Sequence, residues 1–200
     1  MGGRECRSRG TPFTFFKRQK MTKKIHLSWQ KTGALLHEVM RQIQSDPVLI
    51  NSACKWQPEY VVGIVRGGCF PAGMYSHYTG VPMYTLKVQL AHGAGENKED
   101  DTECAAWMAE DAFNGKNILI MEDINDSGST FNWIKSDWRS SAIPTDPKWQ
   151  NDMIFGNNVR TACLVENSAS NFECNYTGMT INKVDDPSWI VFPWEEWWAI

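Results

Sequence analysis

A chain of 200 residues, 42% hydrophobic and 22% charged, is long enough for one domain with a substantial core and leaves little room for two. Its net charge is −3, but residues 1–24 hold eight basic side chains against Glu5 alone, a balance of +7 that leaves −10 for the rest. The folded body is therefore acidic and lacks the basic footprint of a nucleic-acid-binding domain. No run of about 18 apolar residues is present to span a membrane, and the basic N-terminal stretch has no apolar signal core. Six cysteines show neither a C-x-x-C pair nor metal-ligand spacing. They read as reduced thiols of a cytoplasmic protein.

Residues 1–24 have no periodicity and are set apart from a single domain over 25–200. An upstream start-site extension with Met21 as the true start accounts for them best; a disordered basic arm and a transit peptide are the alternatives. Ser28 is placed to cap a helix that carries Leu35, Leu36, Val39, Met40 and Ile43 on one face, limited by Pro47. Tyr60 to Val65 reads as a buried strand. It ends in Arg66-Gly67-Gly68, where two glycines expose backbone N–H groups beside a guanidinium, a combination suited to phosphate or pyrophosphate. A helix is expected from Phe70 to Thr79 and a strand from Val81 to Val88. Residues 89–111 then form a polar stretch with the acidic cluster Glu99-Asp100-Asp101-Glu103, long enough to be functional or mobile.

The stretch around which the chain is organised is 118–131. Ile118-Leu119-Ile120-Met121 reads as a strand buried on both faces, and it runs into Glu122-Asp123. The loop Asp126-Ser127-Gly128-Ser129-Thr130 follows, and Phe131, Ile134 and Trp138 then recur at helical spacing. In a strand-loop-helix unit the small residues let a ligand reach the main chain, Gly128 permits unusual backbone angles, and N–H groups at a helix start cradle phosphate. Carboxylates beside the cradle repel bare phosphate, so they aim at ribose hydroxyls, a divalent metal or a proton. The implied ligand is a sugar phosphate with magnesium. A serine nucleophile at Ser127 is excluded, because Asn125 stands where a glycine is needed and no flanking pattern places partners. After a Pro/Asp/Asn-rich connection at 141–158, Val159 to Val165 forms a further strand, followed by Glu166-Asn167. The last dozen residues hold Trp189, Trp194, Trp197 and Trp198, large amphipathic rings suited to a platform or a pocket cover.

Glu122-Asp123-Ile124-Asn125-Asp126-Ser127-Gly128-Ser129-Thr130 resembles the phosphoribosyl pyrophosphate signature of type I phosphoribosyltransferases: an acidic pair, an apolar residue, any residue, Asp, Ser or Thr, Gly, any residue, Thr. Every position matches. Arg66-Gly67-Gly68 resembles that family's pyrophosphate loop, and Asp186 to Glu195 resembles the hood of its xanthine-guanine and archaeal hypoxanthine branches. The resemblance implies an α/β fold, a central mostly parallel sheet flanked by helices with a small C-terminal hood at about 167–200. It implies transfer of phosphoribose from phosphoribosyl pyrophosphate to a free nucleobase, a 6-oxopurine, with magnesium and a homo-oligomeric (dimeric or tetrameric) assembly.

Carried over residue by residue, the resemblance gives Arg66, Gly67, Gly68, Glu122, Asp123, Asp126, Ser127, Gly128, Ser129 and Thr130 to phosphoribosyl pyrophosphate, Glu122 and Asp123 also to the metal, and Asp126 to proton transfer. Trp189 would stack on the base and Ile190 would read its edge. Family members acting on 6-oxopurines carry a lysine after the strand that here ends in Glu166-Asn167, so Asn167 is the candidate in its place. A regulatory protein that binds phosphoribosyl pyrophosphate without chemistry is the other reading of the same motif.

Overall fold

The computed structural model describes residues 23–46, 55–90, 101–103, 105–142 and 154–199. In chain order these form β1 (Lys24–His26), α1 (Trp29–Ser45), β2 (Tyr60–Val65), α2 (Cys69–Thr79), β3 (Met83–Gln89), β4 (Asp101–Thr102), α3 (Ala106–Phe113), β5 (Ile118–Asn125), α4 (Ser129–Ser141), β6 (Val159–Asn167), β7 (Tyr176–Ile181) and β8 (Trp189–Val191), with a 3-10 turn at Trp197–Ala199. A six-stranded sheet runs in the order β4-β3-β2-β5-β6-β7. It is parallel except for β4, which pairs antiparallel with β3.

Strand alternation builds two cores. Val62, Ile64, Ile118 and Ile120 pack with α3 and α4 on one face, while Val61, Leu119 and Met121 pack with α1 and α2 on the other. Parallel strands covered on both faces need near-continuous apolar runs, which is what β2 and the first four residues of β5 supply. The helices follow their sequence patterns. Ser28 Oγ accepts the Lys31 N–H at 3.1 Å and caps α1, and Phe131, Ile134 and Trp138 are the buried face of α4.

Two elements differ from expectation. Residues 106–113, placed by sequence within a polar stretch, form α3, because Met108, Ala109, Ala112 and Phe113 share one face and are buried; the flanking acidic cluster masks this short pattern. Residues 91–100 and 104 of that stretch, and Pro47, lie outside the described residues. Residues 176–181, counted with the hood, are the edge strand of the main sheet, parallel to β6. Its Gly178 lets Leu35 of α1 pack directly on the strand. What remains beyond the sheet is a two-stranded parallel ribbon, β1 with β8, so the chain's N-terminal segment contributes half of the hood. Among the described residues no helix is long and apolar enough to cross a membrane.

Far from the motif end, Arg160 of β6 bonds Asp46 at the end of α1 at 2.7 Å, with both side chains only about a tenth exposed. Tyr176 Oη donates to the same carboxyl group at 2.6 Å, and the guanidinium lies 5.4 Å from the Trp56 ring centre. Removing one partner of such a pair leaves an uncompensated buried charge. Arg160→Met should therefore lower the unfolding free energy by about 3–5 kcal/mol, with much of the loss recovered in the Arg160→Met/Asp46→Asn double variant. Chemical denaturation checks this; equal stability of the single variant and the parent would contradict it.

Candidate active site

The strand order places β3 on one side of β2 and β5 on the other, so successive crossovers leave β2 in opposite directions. Ligands in open parallel sheets bind at such a switch point, outside the carboxyl ends of the strands. The carboxyl end of β2 is Arg66-Gly67-Gly68 and that of β5 is the acidic pair followed by residues 126–130. Two segments about sixty positions apart in sequence are thereby brought side by side.

Their contact is close. A Cβ on Gly67 would overlap the Asp123 carboxyl group, and one on Gly68 would overlap the Met121 carbonyl. Only glycine lets the first loop lie over the end of β5. Arg66 stands exposed at its apex. At the end of β5 the Glu122 carboxyl group lies beside Asp123 and the Gly68 backbone, next to Cys69 at the start of α2. Asp123 Oδ1 accepts the Ile124 N–H at 2.8 Å and Glu122 Oε1 accepts the Asp123 N–H at 3.2 Å. Burial, then the Asp123 charge, hold the Glu122 carboxyl well above the usual carboxylate range. Burial pushes Asp123 up to about 6 against the pull of its hydrogen bonds, and Glu195 of the tail adds to the push. Two such groups, half-buried and repelling one another, are suited to bind a divalent cation or to accept hydrogen bonds from sugar hydroxyls.

The second loop forms a cavity of about 170 Å³ lined by residues 124–131. Gly128 takes φ +82 at the start of α4, and the Ser127 and Ser129 hydroxyls lie 2.9 Å apart. Behind the cradle stands the 168–175 segment. A Cβ on Gly128 would meet Phe172 N at 2.6 Å and Ser170 Oγ at 2.9 Å, and the Asn171 N–H donates to the Ser127 carbonyl at 3.2 Å. Gly128 is thus required for packing as well as for backbone angle, and a bulky residue there would displace the segment behind the loop. A larger depression of about 520 Å³ lies between the far ends of α1 and α2. Among the described residues Lys55 is its one charged lining residue, and it includes none of the motif residues.

Asp126 is exposed and paired with Lys183, Nζ to Oδ2 at 2.7 Å. The same ammonium lies 5.8 Å from the centre of the Trp189 ring, and Trp189 is 45% exposed. Asn167, expected to face a base, is 6% exposed. Its Nδ2 donates to the Asp126 carbonyl at 2.8 Å and its Oδ1 accepts from Ala169 N and Lys183 N. Its amide is engaged in holding two loops together, and the lysine that meets Asp126 is Lys183. Because Lys183 follows β7, a strand the sequence reading did not separate from the hood, no local pattern marked it. The Ile190 side chain is buried in the core. Trp189 N and Val191 O bond Lys23 O and Leu27 N, and alternation in a parallel ladder turns the Ile190 N–H and C=O to the opposite edge.

The tail closes over the first loop. Phe70, two residues after Gly68, stacks on Trp194 at 4.5 Å with rings 4° from parallel, and Phe192 stacks on Trp194 at 4.9 Å. Trp194 is buried, whereas Trp197 and Trp198 are exposed. The Trp194 Nε1–H makes no aligned hydrogen bond but lies near enough to Asp123 to favour its ionised form.

No family profile matches the chain, and no curated protein matches it. Solved structures do. A purine phosphoribosyltransferase from Pyrococcus horikoshii OT3 is similar with a TM-score of 0.59 and 21% identity, over 86% of this chain and 95% of that one. The xanthine-guanine-hypoxanthine phosphoribosyltransferase of Helicobacter pylori gives 0.56 and 16%, over 88% and 96%. A hypothetical protein from Neisseria gonorrhoeae with bound ppGpp gives 0.60 and 17%, over 88% and 92%. At these identities the likeness is one of architecture, and it spans nearly the whole of each relative. The chain has the type I phosphoribosyltransferase fold.

Proposed function

We propose that the protein transfers phosphoribose from phosphoribosyl pyrophosphate to a 6-oxopurine and releases pyrophosphate. The observation that carries this reading is the convergence, at one end of the sheet, of a glycine loop with an arginine, an acidic pair, an anion cradle, and the Asp126–Lys183–Trp189 cluster. Two of the structural relatives are purine phosphoribosyltransferases, and the cluster supplies what a 6-oxopurine needs: an ammonium to donate to the oxo group, a carboxylate to accept a ring proton, and an exposed ring to stack.

In this reading the N–H groups of 127–130 hold the 5′-phosphate, and the 66–68 loop holds pyrophosphate, with Arg66 balancing charge on the leaving group. Glu122 and Asp123 hold ribose hydroxyls. They also fit a magnesium ion, since burial and mutual repulsion leave the pair in want of a cation; the ion would supply further charge neutralisation of pyrophosphate. On binding, the purine separates Lys183 from Asp126. Lys183 Nζ then donates to the 6-oxo group, while Asp126 takes up the proton that the base must lose. Main-chain groups of Ile190 meet the base edge beside Trp189. A regulatory protein would bind the same sugar phosphate without turnover.

Turnover with a panel of hypoxanthine, guanine, xanthine, adenine, uracil and orotate tests the reading. Expected is turnover of 6-oxopurines and little of adenine. Lys183→Gln, which loses a charged hydrogen bond, should weaken use of the 6-oxopurine by about 10- to 150-fold while saturation by phosphoribosyl pyrophosphate is little changed. A preference for adenine or a pyrimidine, or binding with no product from any base, would overturn it.

The acidic pair also predicts a conflict between stability and activity. Asp123 has a folded-state pKa of about 6, above its ordinary 3.8, so ionisation weakens the fold as pH rises through that window and the penalty is absent below it. Asp123→Asn should therefore raise the melting temperature at pH 8, with a gain in unfolding free energy of at most about 3 kcal/mol, show no gain near pH 4, and lose turnover. Thermal unfolding at the two pH values checks the sign; destabilisation at pH 8 would contradict it.

A further inference from the structure

Behind the anion cradle lies a second cluster that the proposed reaction does not use. Along β6 the alternation of faces breaks: Leu164 and Val165 both join the core under α1 and α2, whereas Cys163 belongs to the opposite core. The break brings the Glu166 side chain to the face of Cys163, with Cys163 Sγ 3.0 Å from Glu166 Oε2. Cys174, at the end of the segment behind the cradle, completes the group, and the two sulfurs and the carboxyl oxygen all lie within 4.8 Å of one another. Cys163 is fully buried, Glu166 is 7% exposed and Cys174 9%. Glu166 Oε1 is held by Asn125 Nδ2 at 2.7 Å, which leaves Oε2 turned toward the sulfurs.

We propose that Cys163, Cys174 and Glu166 form a structural site for one thiophilic divalent cation of the zinc type. Two thiolates and one carboxylate are a donor set for zinc rather than magnesium or calcium, which prefer oxygen. From zinc–sulfur and zinc–oxygen bonds of ~2.3 and ~2.0 Å, a tetrahedral site separates sulfur from oxygen by ~3.5 Å. The pair therefore needs to open by about half an ångström. Thr177 Oγ1, 3.8 Å from Cys163 Sγ, is a neutral oxygen at hand for the fourth position. The Asn125 amide plays the orienting part that outer groups play at metal sites, fixing which carboxyl oxygen faces the ion.

A disulfide switch is the competing use of two adjacent cysteines, and the surroundings oppose it. Both sulfurs are buried, as structural rather than redox-active cysteines are. Metal binding would displace both thiol protons, so affinity should rise with pH. Asn125 also donates to the Phe172 carbonyl and accepts from Ser170 Oγ, so an ion here would brace the segment that backs Gly128.

Cobalt(II) is the probe. Full-length protein, freed of metal with chelator and kept reduced, is titrated with Co²⁺ and then Zn²⁺. Expected is one equivalent of Co²⁺ showing an intense near-ultraviolet thiolate-to-metal band, lost on adding Zn²⁺, together with a higher melting temperature for the zinc-loaded form. Cys163→Ser and Cys174→Ser should each remove the band. Glu166→Gln, which keeps the Asn125 contact and the core volume, should weaken Co²⁺ binding ~10-fold or more and keep the protein folded. Cobalt held by Glu122 and Asp123 would be oxygen-ligated and lack the band. Cys69, which lies near that pair, is tested by Cys69→Ala, expected to retain it. No band in the parent protein, a band that survives Cys174→Ser, or a Cys163–Cys174 disulfide in the purified protein would each overturn the proposal.

Discussion

The candidate site depends on one close approach, the Gly67 backbone against the Asp123 carboxyl group. Parallel pairing of β2 with β5 puts the two strand ends at the same level, and crossovers that diverge on either side leave the crevice between them open. Any side chain at Gly67 would part the loops. With the approach in place, an arginine loop from the end of β2 faces one region with the two acids and the anion cradle from the end of β5. Partial burial at this strand end raises the pKa values of both acids. The groups that would recognise the ligand therefore weaken the empty fold, as is common at functional sites.

Much of the architecture was legible because buried parallel strands write themselves as unbroken apolar runs. Val61 to Val65 and Ile118 to Met121 admit little else, and Ser28 and the Leu35–Ile43 face mark α1 by capping and period. What escaped notice was short or mixed. The α3 residues are eight in number and adjoin an acidic cluster. The β7 sequence Tyr-Thr-Gly-Met-Thr-Ile is an edge strand whose burial is partial, and its glycine reads as a turn until Leu35 is seen to pack on it. Site residues within the motif were legible because their spacing is local. Lys183 was not, because its meeting with Asp126 depends on how β7 returns the chain, and Asn167 looked like a ligand only while its amide partners were unknown. Cys163 and Cys174 were read as unrelated thiols because they are eleven positions apart and come together through a break in β6.

The hood is joined to the chemistry through aromatic stacking. Trp194 is clamped by Phe192 and by Phe70 at the first turn of α2, so the tail rests on the helix that the glycine loop begins. Its strand β8 is held by β1 from the other end of the chain. Movement of the tail would therefore be felt at the first loop, and the exposed Trp189 is presented by a strand that β1 holds in place.

The central claim is that the 66–68 loop and the 126–130 cradle are two halves of one site for a doubly phosphorylated sugar. Competition calorimetry in magnesium tests it most directly, using phosphoribosyl pyrophosphate with ribose 5-phosphate and pyrophosphate as its two fragments. The account predicts that each fragment alone displaces phosphoribosyl pyrophosphate, that the intact ligand binds more tightly than either, and that Gly67→Val abolishes pyrophosphate binding while ribose 5-phosphate still binds. Failure of pyrophosphate to displace the intact ligand, or undiminished pyrophosphate binding by Gly67→Val, would contradict it.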